Sequence, residues 1–367
     1  MMGRLGSNGK PAGRLVLVGS IVMDLLLYVD RLPDRGSDVL ASQCHISPGG
    51  GFNILHAAHQ LGMRTAYGGI IGTGRWGSSI QDALTEYSID RLAAFTSEDD
   101  NGFVIGMVEP DGERTFITYP GCESMLQTDH LAEIEKHLQH DDTIYISGYE
   151  FLYPVSGELL SDWIIHASKK WGIAIDLGPL VGNLSDNALG HIMSECSLLT
   201  LNLKEAETVL EKMQQSPDAR PSPSDRPTSD LTKTTPDINS VTDYAASLAE
   251  TIHSYLKDEA TLIIRIGAYG CVIVPSMDCT TISTEHPGAT HTPTTIPSRP
   301  PREIVDTTGA GDVHTAAYLA SIAYGMSNAD AAWIANIAAS MSVEKKGGAA
   351  CPSIDKLNDC LAATHYR

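Results

Sequence analysis

Short apolar runs alternate with longer amphipathic stretches over most of the chain. The apolar runs predict buried strands at 15–19, 65–71, 143–147, 173–177, 198–202, 261–266 and 271–275. The spacing of apolar positions between them predicts helices near 51–62, 77–88, 128–139, 156–171, 186–194, 203–213 and 241–257. Almost continuously apolar strands that are separated by helices are typical of a parallel sheet covered on both faces. The pattern therefore predicts an α/β fold.

Two segments depart from this rhythm. Residues 22–46 and 101–119 alternate apolar and polar positions without intervening helices. Such alternation is typical of an antiparallel sheet with one face toward solvent, so we expect a second, smaller sheet that lies apart from the main body. The last quarter of the chain is rich in alanine and predicts helices near 309–324, 328–343 and 354–363.

Composition marks two further segments as lying outside the folded core. Residues 1–12 are polar and glycine-rich, and we expect them to form a disordered tail. Residues 214–240 are dense in Pro, Ser, Thr and Asp, so they bury too little apolar surface to order themselves. The sequence therefore predicts a flexible surface insertion at 214–240.

Charge and cysteine content narrow the function. The chain has 45 acidic and 25 basic side chains, a net charge of −20 at pH 7, and 42% hydrophobic residues. The hydrophobic fraction is that of an ordinary globular protein, and the negative charge disfavours binding to nucleic acid or to an anionic membrane surface. The seven cysteines are scattered and form no C-x-x-C pair, which favours a reduced, cytoplasmic setting and disfavours a zinc knuckle or a disulfide framework.

The most informative motif is D-T-T-G-A-G-D at 306–312, directly before a predicted helix. Small residues there let backbone N–H groups converge at a helix N-terminus, where partial positive charge suits a phosphate. The carboxylate of Asp312 can take the proton of a hydroxyl beside that phosphate, as phosphoryl transfer to an alcohol requires. G-A-G alone favours a plain glycine turn with Asp312 as a helix cap, but the two carboxylates that bracket T-T-G-A-G shift the balance toward chemistry.

With this motif, the chain resembles the ribokinase (PfkB) family of carbohydrate and nucleoside kinases from about 16 to about 352. The resemblance implies one ribokinase-like, three-layer α/β/α domain at 13–365 with a mostly parallel central sheet. It also implies a small β-sheet lid at about 22–47 and 100–120.

The resemblance further implies a cytoplasmic kinase that uses ATP and Mg²⁺. In this comparison Asp312 is the general base. The backbone N–H groups of Gly309, Ala310 and Gly311 stabilise the transferring phosphoryl group.

Motifs in the first half of the chain resemble the family's acceptor site. P-G-G-G-F-N at 48–53 resembles the sugar-binding signature, in which Gly49 and Gly50 allow close backbone approach and Asn53 offers a donor and an acceptor to hydroxyls. A turn with an N-cap explains this motif equally well. Asp24, which lies in an apolar run, resembles the aspartate that holds substrate hydroxyls.

Two aromatic residues belong to the segments that resemble the lid. Phe103 and Phe116 can close on a substrate, or they can simply pack the small sheet. The exposed edges and apolar face expected of such a sheet also suit a homodimer that forms through the lid.

Motifs in the second half resemble the nucleotide site. N-L-K-E at 202–205 matches the family's N-x-x-E, whose Asn202 and Glu205 organise Mg²⁺-bound water, although in isolation this motif favours a capping box. The G-x-x-G turn formed by Gly267 and Gly270 resembles the turn that approaches ATP, and is otherwise a hairpin turn.

The resemblance assigns nucleotide binding to Thr308 and Asn336 as well. It also implies a monovalent cation, K⁺, that is bound by groups around Asp306, Thr308 and the loop at 347–351.

Three positions depart from the family pattern. Val22 stands where ribokinase has an asparagine, and Gly74 stands where an aspartate is usual. His314 replaces a phenylalanine, and either reads a substrate hydroxyl or is a core histidine with satisfied hydrogen bonds. Arg75 is the only obvious basic residue near the sugar motifs, and it is also explained as a surface arginine. These departures favour an uncharged acceptor over a phosphorylated sugar.

The leading hypothesis is therefore ATP-dependent phosphorylation of a hydroxymethyl group on a neutral sugar. A nucleoside kinase is the alternative within the same chemistry, with Phe103 and Phe116 against the base. A catalytically silent sugar sensor is the alternative from a different class. It has no need of a base at Asp312 beside an anion-binding turn.

Overall fold

The fold was analysed in a computed structural model of the chain. The structure describes residues 5–6, 9–110, 112–215, 238–276 and 292–363. Most of the insertion predicted at 214–240 lies outside the described residues; its two ends belong to helices.

The elements follow the alternation seen in the sequence. The strands are β1 Arg14–Val18, β2 Ile21–Tyr28, β3 Gln43–Gly50, β4 Arg64–Gly68, β5 Ile71–Gly72, β6 Asp90–Arg91, β7 Thr96–Ser97, β8 Phe103–Val108, β9 Arg114–Tyr119, β10 Thr143–Ser147, β11 Gly172–Asp176, β12 Leu198–Asn202, β13 Thr261–Arg265, β14 Cys271–Val274 and β15 Thr294–Ile296. The helices are α1 Gly51–Gln60, α2 Arg75–Glu86, α3 Thr128–His137, α4 Ser156–Ala167, α5 Asp186–Glu195, α6 Leu203–Gln215, α7 Ile238–His253, α8 Ala310–Ala323, α9 Asn328–Ser342 and α10 Ile354–Ala363.

The main sheet is mostly parallel, as predicted. Within the described residues its strand order is β15-β14-β13-β12-β11-β10-β1-β4-β6, and only the pairs β13–β14 and β14–β15 are antiparallel. Alternate residues of β1 enter different cores: Val16 and Val18 pack with α3 to α7, whereas Leu15 and Leu17 pack with α1, α2, α8, α9 and α10. Both faces of the sheet are therefore buried, and the α/β/α layering is confirmed.

The smaller sheet has the strand order β3-β2-β8-β9. It consists of two antiparallel hairpins, β2–β3 and β8–β9, but its central pair β2–β8 is parallel. The expectation of an antiparallel sheet is therefore wrong at this pair. Each segment contributes its own hairpin, and the first strands of the two hairpins run in the same direction.

The start of the chain differs from the expected disordered tail. Leu5 is buried against α10, where its N–H donates to Asn358 Oδ1 at 2.9 Å and its carbonyl accepts from Asn358 Nδ2 at 3.0 Å. Farther along, the N–H of Ala12 donates to the carbonyl of Ala323 at 2.9 Å. Although this segment is mostly polar, it contains Leu5, which packs into the hydrophobic core.

Among the helices that the structure describes, none combines the length and the apolar character that crossing a membrane would require.

Helix α8 is bounded by two glycines with positive φ. Gly309 precedes the helix with φ +72°, and Gly325 follows it with φ +79°. A Cβ at Gly309 would lie 2.0 Å from the carbonyl oxygen of Gly348, whereas a Cβ at Gly325 would meet no described atom within 4 Å. The loop that contains Gly348 therefore presses on the start of α8, and only glycine fits there.

We expect Gly309→Ala to destabilise the protein more than Gly325→Ala. Both substitutions place alanine in left-handed backbone, which costs about 1 kcal/mol, but only Gly309→Ala must also displace the backbone of Gly348. Urea unfolding should therefore show a loss of about 1 kcal/mol for Gly325→Ala and roughly 3 kcal/mol for Gly309→Ala. Equal losses would contradict the close contact between the two loops.

Candidate active site

The predicted base, Asp312, lies in the first turn of α8 and faces the first turn of α1. Asn53, from α1, hydrogen-bonds the carboxyl group of Asp312. Burial and, after it, the negative charge of Asp176 raise the pKa of Asp312 to about 7 against the opposing charge of Arg265. A carboxyl group with this pKa is balanced between its two protonation states near neutral pH, which suits a general base.

The backbone at the start of α8 has the form expected of an anion site. The first bond of the helical ladder runs from the Val313 N–H to the Gly309 carbonyl at 2.9 Å. The N–H groups before it lie in the unpaired first turn, where the helix dipole is positive. That of Ala310 also makes a long, 3.3 Å contact with the Thr307 carbonyl. Gly309, Ala310 and Gly311 are thus brought together beside Asp312, as predicted.

The acceptor motifs meet Asp312 from the other side. The Asp24 side chain lies against Gly49, where a Cβ would come within 2.0 Å of its Oδ2. Burial raises the pKa of Asp24 to about 7. Asn53 Oδ1 is buried and has no hydrogen-bond partner among the described residues. These groups offer acceptors to a ligand that brings hydroxyl donors.

Glu150 is a further carboxyl group that sequence reasoning missed. It lies fully buried just after β10, and its Oε1 accepts from the N–H and hydroxyl of Ser20 at 2.9 and 2.5 Å. Its Oε2 has no partner in the described part of the chain, and burial raises its pKa to about 8. The signal in the sequence was a glutamate directly after the apolar run at 143–147.

A buried ion network joins the ends of the central strands, and it too was missed. Arg265, at the end of β13, binds Asp176, at the end of β11, with N–O distances of 2.5 and 3.2 Å. Its Nη2 lies 3.6 Å from Glu205 Oε2, and its Nη1 donates to the Gly311 carbonyl at 3.4 Å. Arg265 therefore connects the sheet to the start of α8.

Asn202 and Glu205 form the capping box that the motif favours in isolation. The N–H of Asn202 donates to Glu205 Oε2 at 2.7 Å, and the N–H of Glu205 donates to Asn202 Oδ1 at 2.9 Å. Burial raises the pKa of Glu205 to about 7, and the charge of Asp176 adds to this effect. The carboxylate is largely occupied by the protein, so a metal ion would meet it through water.

A cavity of about 340 Å³ lies beside the start of α8. It is lined by Asn202, Gly267, Gly270, Thr307, Ala310, Gly311, His314 and Asn336, among others. The structure thus brings predicted nucleotide residues of three separate segments, namely Asn202, Gly267 with Gly270, and Asn336, to one cavity, whereas Glu205 and Thr308 are not among its lining residues. The size of the cavity lies within the range of small-ligand sites.

The side chain of Asn336 is turned toward the protein. Its Nδ2 donates to the carbonyls of Ile296 and Pro297 at 3.0 and 3.2 Å, so its Oδ1 accepts from His314 Nε2 at 3.1 Å. His314 is therefore protonated on Nε2, and its buried Nδ1 has no partner among the described residues. Burial, together with the charge of Arg265, lowers the pKa of His314 to about 3. His314 therefore lines this cavity as a neutral imidazole.

The two phenylalanines of the lid point to opposite faces of the sheet, because side chains alternate along each strand. Phe116 pairs with Gly106 and shares the lid face of Asp24, whereas Phe103 points to the opposite face, near Trp76 and Tyr119. Phe103 therefore does not face the acceptor residues, in contrast to the expectation from the sequence.

Arg75 is the first residue of α2. It is exposed, and its guanidinium stacks over the Trp76 ring at 5.0 Å. This placement matches its interpretation as a surface arginine.

No group of three or more His, Cys, Asp or Glu side chains in the described residues is arranged to hold a metal ion. Mg²⁺ commonly keeps several waters and binds through substrate phosphates with one or two carboxylates, so the carboxyl groups of Glu205 and Asp176 suit an outer-sphere role.

Asp306 and Thr308, which the family resemblance placed around a monovalent cation, are hydrogen-bonded to each other. The N–H and hydroxyl of Thr308 donate to Asp306 Oδ1 at 2.8 and 2.7 Å, and the N–H of Gly347 donates to Oδ2 at 2.9 Å. Arg114 of the lid pairs with the same carboxylate.

Comparison with known proteins agrees with this site. Residues 12–355 match the model of the pfkB family carbohydrate kinases. The chain is 30% identical over 344 residues to an uncharacterized sugar kinase, YegV, of Escherichia coli K12, covering 94% of this chain and 92% of that protein.

Solved structures share the fold. Ribokinase from Cryptococcus neoformans in complex with ADP has a TM-score of 0.71 and 17% identity, covering 95% of this chain and 99% of that one. The nucleoside kinase of Burkholderia thailandensis in complex with inosine has a TM-score of 0.70 and 14% identity, covering 95% and 97%. Together with the family match over nearly the whole chain, these findings confirm the resemblance seen in the motifs: the chain belongs to the pfkB family of carbohydrate kinases, phosphotransferases that act on hydroxyl groups.

Proposed function

We propose that this protein transfers the γ-phosphoryl group of ATP to a hydroxymethyl group on a neutral sugar. The observation that carries the proposal is the juxtaposition of Asp312, the start of α8 and the unpartnered Asn53 Oδ1. Hydroxyl groups of a sugar satisfy Asn53 and Asp24 as donors, and one of them reaches the base at Asp312.

The transfer follows from this arrangement. The hydroxyl proton passes to Asp312, and the hydroxyl oxygen forms a bond to the γ-phosphorus. The bond from the γ-phosphorus to the β–γ bridging oxygen breaks, and ADP leaves. The amides of 309–311 stabilise the charge on the phosphoryl oxygens, because they are fixed at a positive helix end. Magnesium would travel with the nucleotide phosphates and lower their charge, with Glu205 in its outer sphere.

Charge supports a neutral acceptor. Of the charged groups that act on Asp312, Asp176 and Asp24 are carboxyls, and the single arginine, Arg265, is committed to Asp176. Arg114 is likewise committed, to Asp306. A phosphorylated sugar would therefore meet repulsion without a free basic partner among these groups.

A nucleoside is the second candidate acceptor. Phe116 shares the lid face of Asp24 and is 49% exposed, so it offers a ring on which a base can stack. Phe103 points to the other face, so it does not contribute to such a pocket. With Phe116 as the single ring, the lid favours a sugar over a nucleoside as the acceptor.

Two further features belong to the proposal. The scattered cysteines and the use of ATP support a cytoplasmic enzyme. The outer lid face exposes Ile46, Ile117 and Tyr119, which supports a homodimer through the lid.

Asp312→Asn should lower kcat by roughly 100- to 10,000-fold, because an amide cannot accept the hydroxyl proton. The measurement is ADP release with a panel of neutral sugars, sugar phosphates and nucleosides, with the product identified by mass spectrometry. Asp330→Asn, which alters an aspartate in the first turn of α9, is the matched control and should retain wild-type turnover. Turnover with nucleosides alone would reverse the choice of acceptor, and wild-type binding of sugar without any turnover would favour a sensor.

The pH profile of kcat/KM should show an acidic limb near pH 7. Asp312 must be ionised to act as a base and its pKa is raised to about 7, so activity falls as the pH drops below that value. Asp176→Asn removes a negative charge that raises this pKa, and should move the limb to lower pH. A wild-type limb near pH 4 would contradict the assignment of Asp312 as the titrating base.

A further inference from the structure

Arg114, on lid strand β9, reaches across to the loop that precedes α8. Its Nη1 donates to Thr307 Oγ1 at 2.9 Å, and its Nη2 forms an ion pair with Asp306 Oδ1. The two charged side chains are 14% and 6% exposed, so the pair lies largely out of water. Beside it, Lys346 Nζ donates to Gln43 Oε1 of the lid at 3.3 Å. The lid is thus joined to the phosphate-binding side of the site by polar contacts.

The carboxylate of Asp306 is held mainly through one oxygen. Its Oδ1 accepts three hydrogen bonds, from the N–H and hydroxyl of Thr308 and from Arg114, and its Oδ2 accepts one, from the N–H of Gly347. Oδ1 therefore has no lone pair left, since each carboxylate oxygen offers about two. Burial opposes its ionisation, but the bonds from Gly347 and Thr308 and the charge of Arg114 prevail and hold the pKa of Asp306 below its ordinary value.

This group of atoms does not fit the monovalent cation that the family resemblance implied. Its anionic member is already neutralised by Arg114, which binds the same carboxylate oxygen as both donors of Thr308. The neighbouring carbonyl of Val343 is also engaged, since it accepts from the N–H groups of Val305 and Asp306 at 2.8 and 3.2 Å. A guanidinium carries the same single positive charge as K⁺, and its directed donors bind a carboxylate and a hydroxyl at once.

We propose that Arg114 replaces the monovalent cation in this protein. Closure of the lid, rather than binding of an ion, supplies the positive charge that holds the loop of Asp306 and Thr307 in shape. Because Gly309 follows this loop directly, the lid and the phosphate-binding turn adopt their closed form together. Arg114 acts through the loop and is a positioning residue. The proposal rests on the kinase activity of the family and is independent of which acceptor is used.

The test compares potassium, sodium and choline chlorides at equal ionic strength. The readouts are the unfolding temperature, the affinity for MgADP, and ADP release with an acceptor from the panel. For the wild type we expect the MgADP affinity and the turnover to agree within about twofold in the three salts, because the charge at Asp306 is supplied by Arg114. A several-fold gain in affinity or turnover with potassium over choline would overturn the proposal.

Arg114→Ala should make the protein dependent on potassium. Without the guanidinium, Asp306 is a buried carboxylate without a counter-charge, and turnover and MgADP affinity in choline should fall roughly 10- to 100-fold. Potassium should restore a large part of both, and raise the unfolding temperature of this variant more than that of the wild type. An equal loss in all three salts would contradict the replacement of a cation.

Two control variants separate charge from general disturbance of the lid. Arg114→Lys keeps the charge and should remain indifferent to the cation, whereas a potassium requirement in this variant would contradict the proposal. Arg35→Ala removes an exposed arginine between the lid strands β2 and β3 and should match the wild type in every salt. Unfolding temperature and MgADP binding need no acceptor, so this outcome is distinct from that of the acceptor panel.

Discussion

The arrangement of the site depends on the positive charge of Arg265. Asp176, Glu205 and Asp312 lie at one edge of the sheet, and each carboxyl group repels the others in a poorly hydrated space. Arg265 neutralises Asp176 at 2.5 Å, lies 3.6 Å from Glu205, and opposes the rise in the pKa of Asp312. It also donates to Gly311, so the residue that balances the charge is in contact with the turn that would receive the phosphate. Arg265 therefore both balances the charge of the carboxyl groups and contacts the turn at Gly311.

The lid completes the site through the alternation of side chains along its strands. Arg114 and Phe116 point to the same face as Asp24, and Phe103 points to the other. One face therefore carries polar contacts to the core domain, and the other exposes apolar groups such as Ile117. Because the pairing β2–β8 is parallel, both hairpins extend from the domain in the same direction and present one continuous face to the site.

Much of the site could be predicted from residues that are close in sequence. The motif that ends at Asp312, and the one that ends at Asn53, each combine a turn with the helix that follows it, so their local form is encoded locally. The groups that sequence reasoning missed have partners that lie far away along the chain. At Gly74, where an aspartate is usual, a Cβ would lie 2.3 Å from Cγ of Asp100, and it is Asp100 that accepts the N–H groups of Trp76 and Gly77. The sequence shows the loss of one carboxylate but not its replacement from another segment.

The sequence by itself determined the α/β layering and the existence of a small second sheet, and it pointed to Asp312 as the candidate base, because periodicity and short motifs reflect contacts along the chain. Tertiary structure decided which groups are free to act. The amide of Asn336 is bonded to His314 and to two backbone carbonyls, Glu205 is occupied by Asn202, and Asp306 is paired with Arg114. Hydrogen-bonding capacity is finite, and whether a polar group has any left depends on partners that folding brings from distant positions.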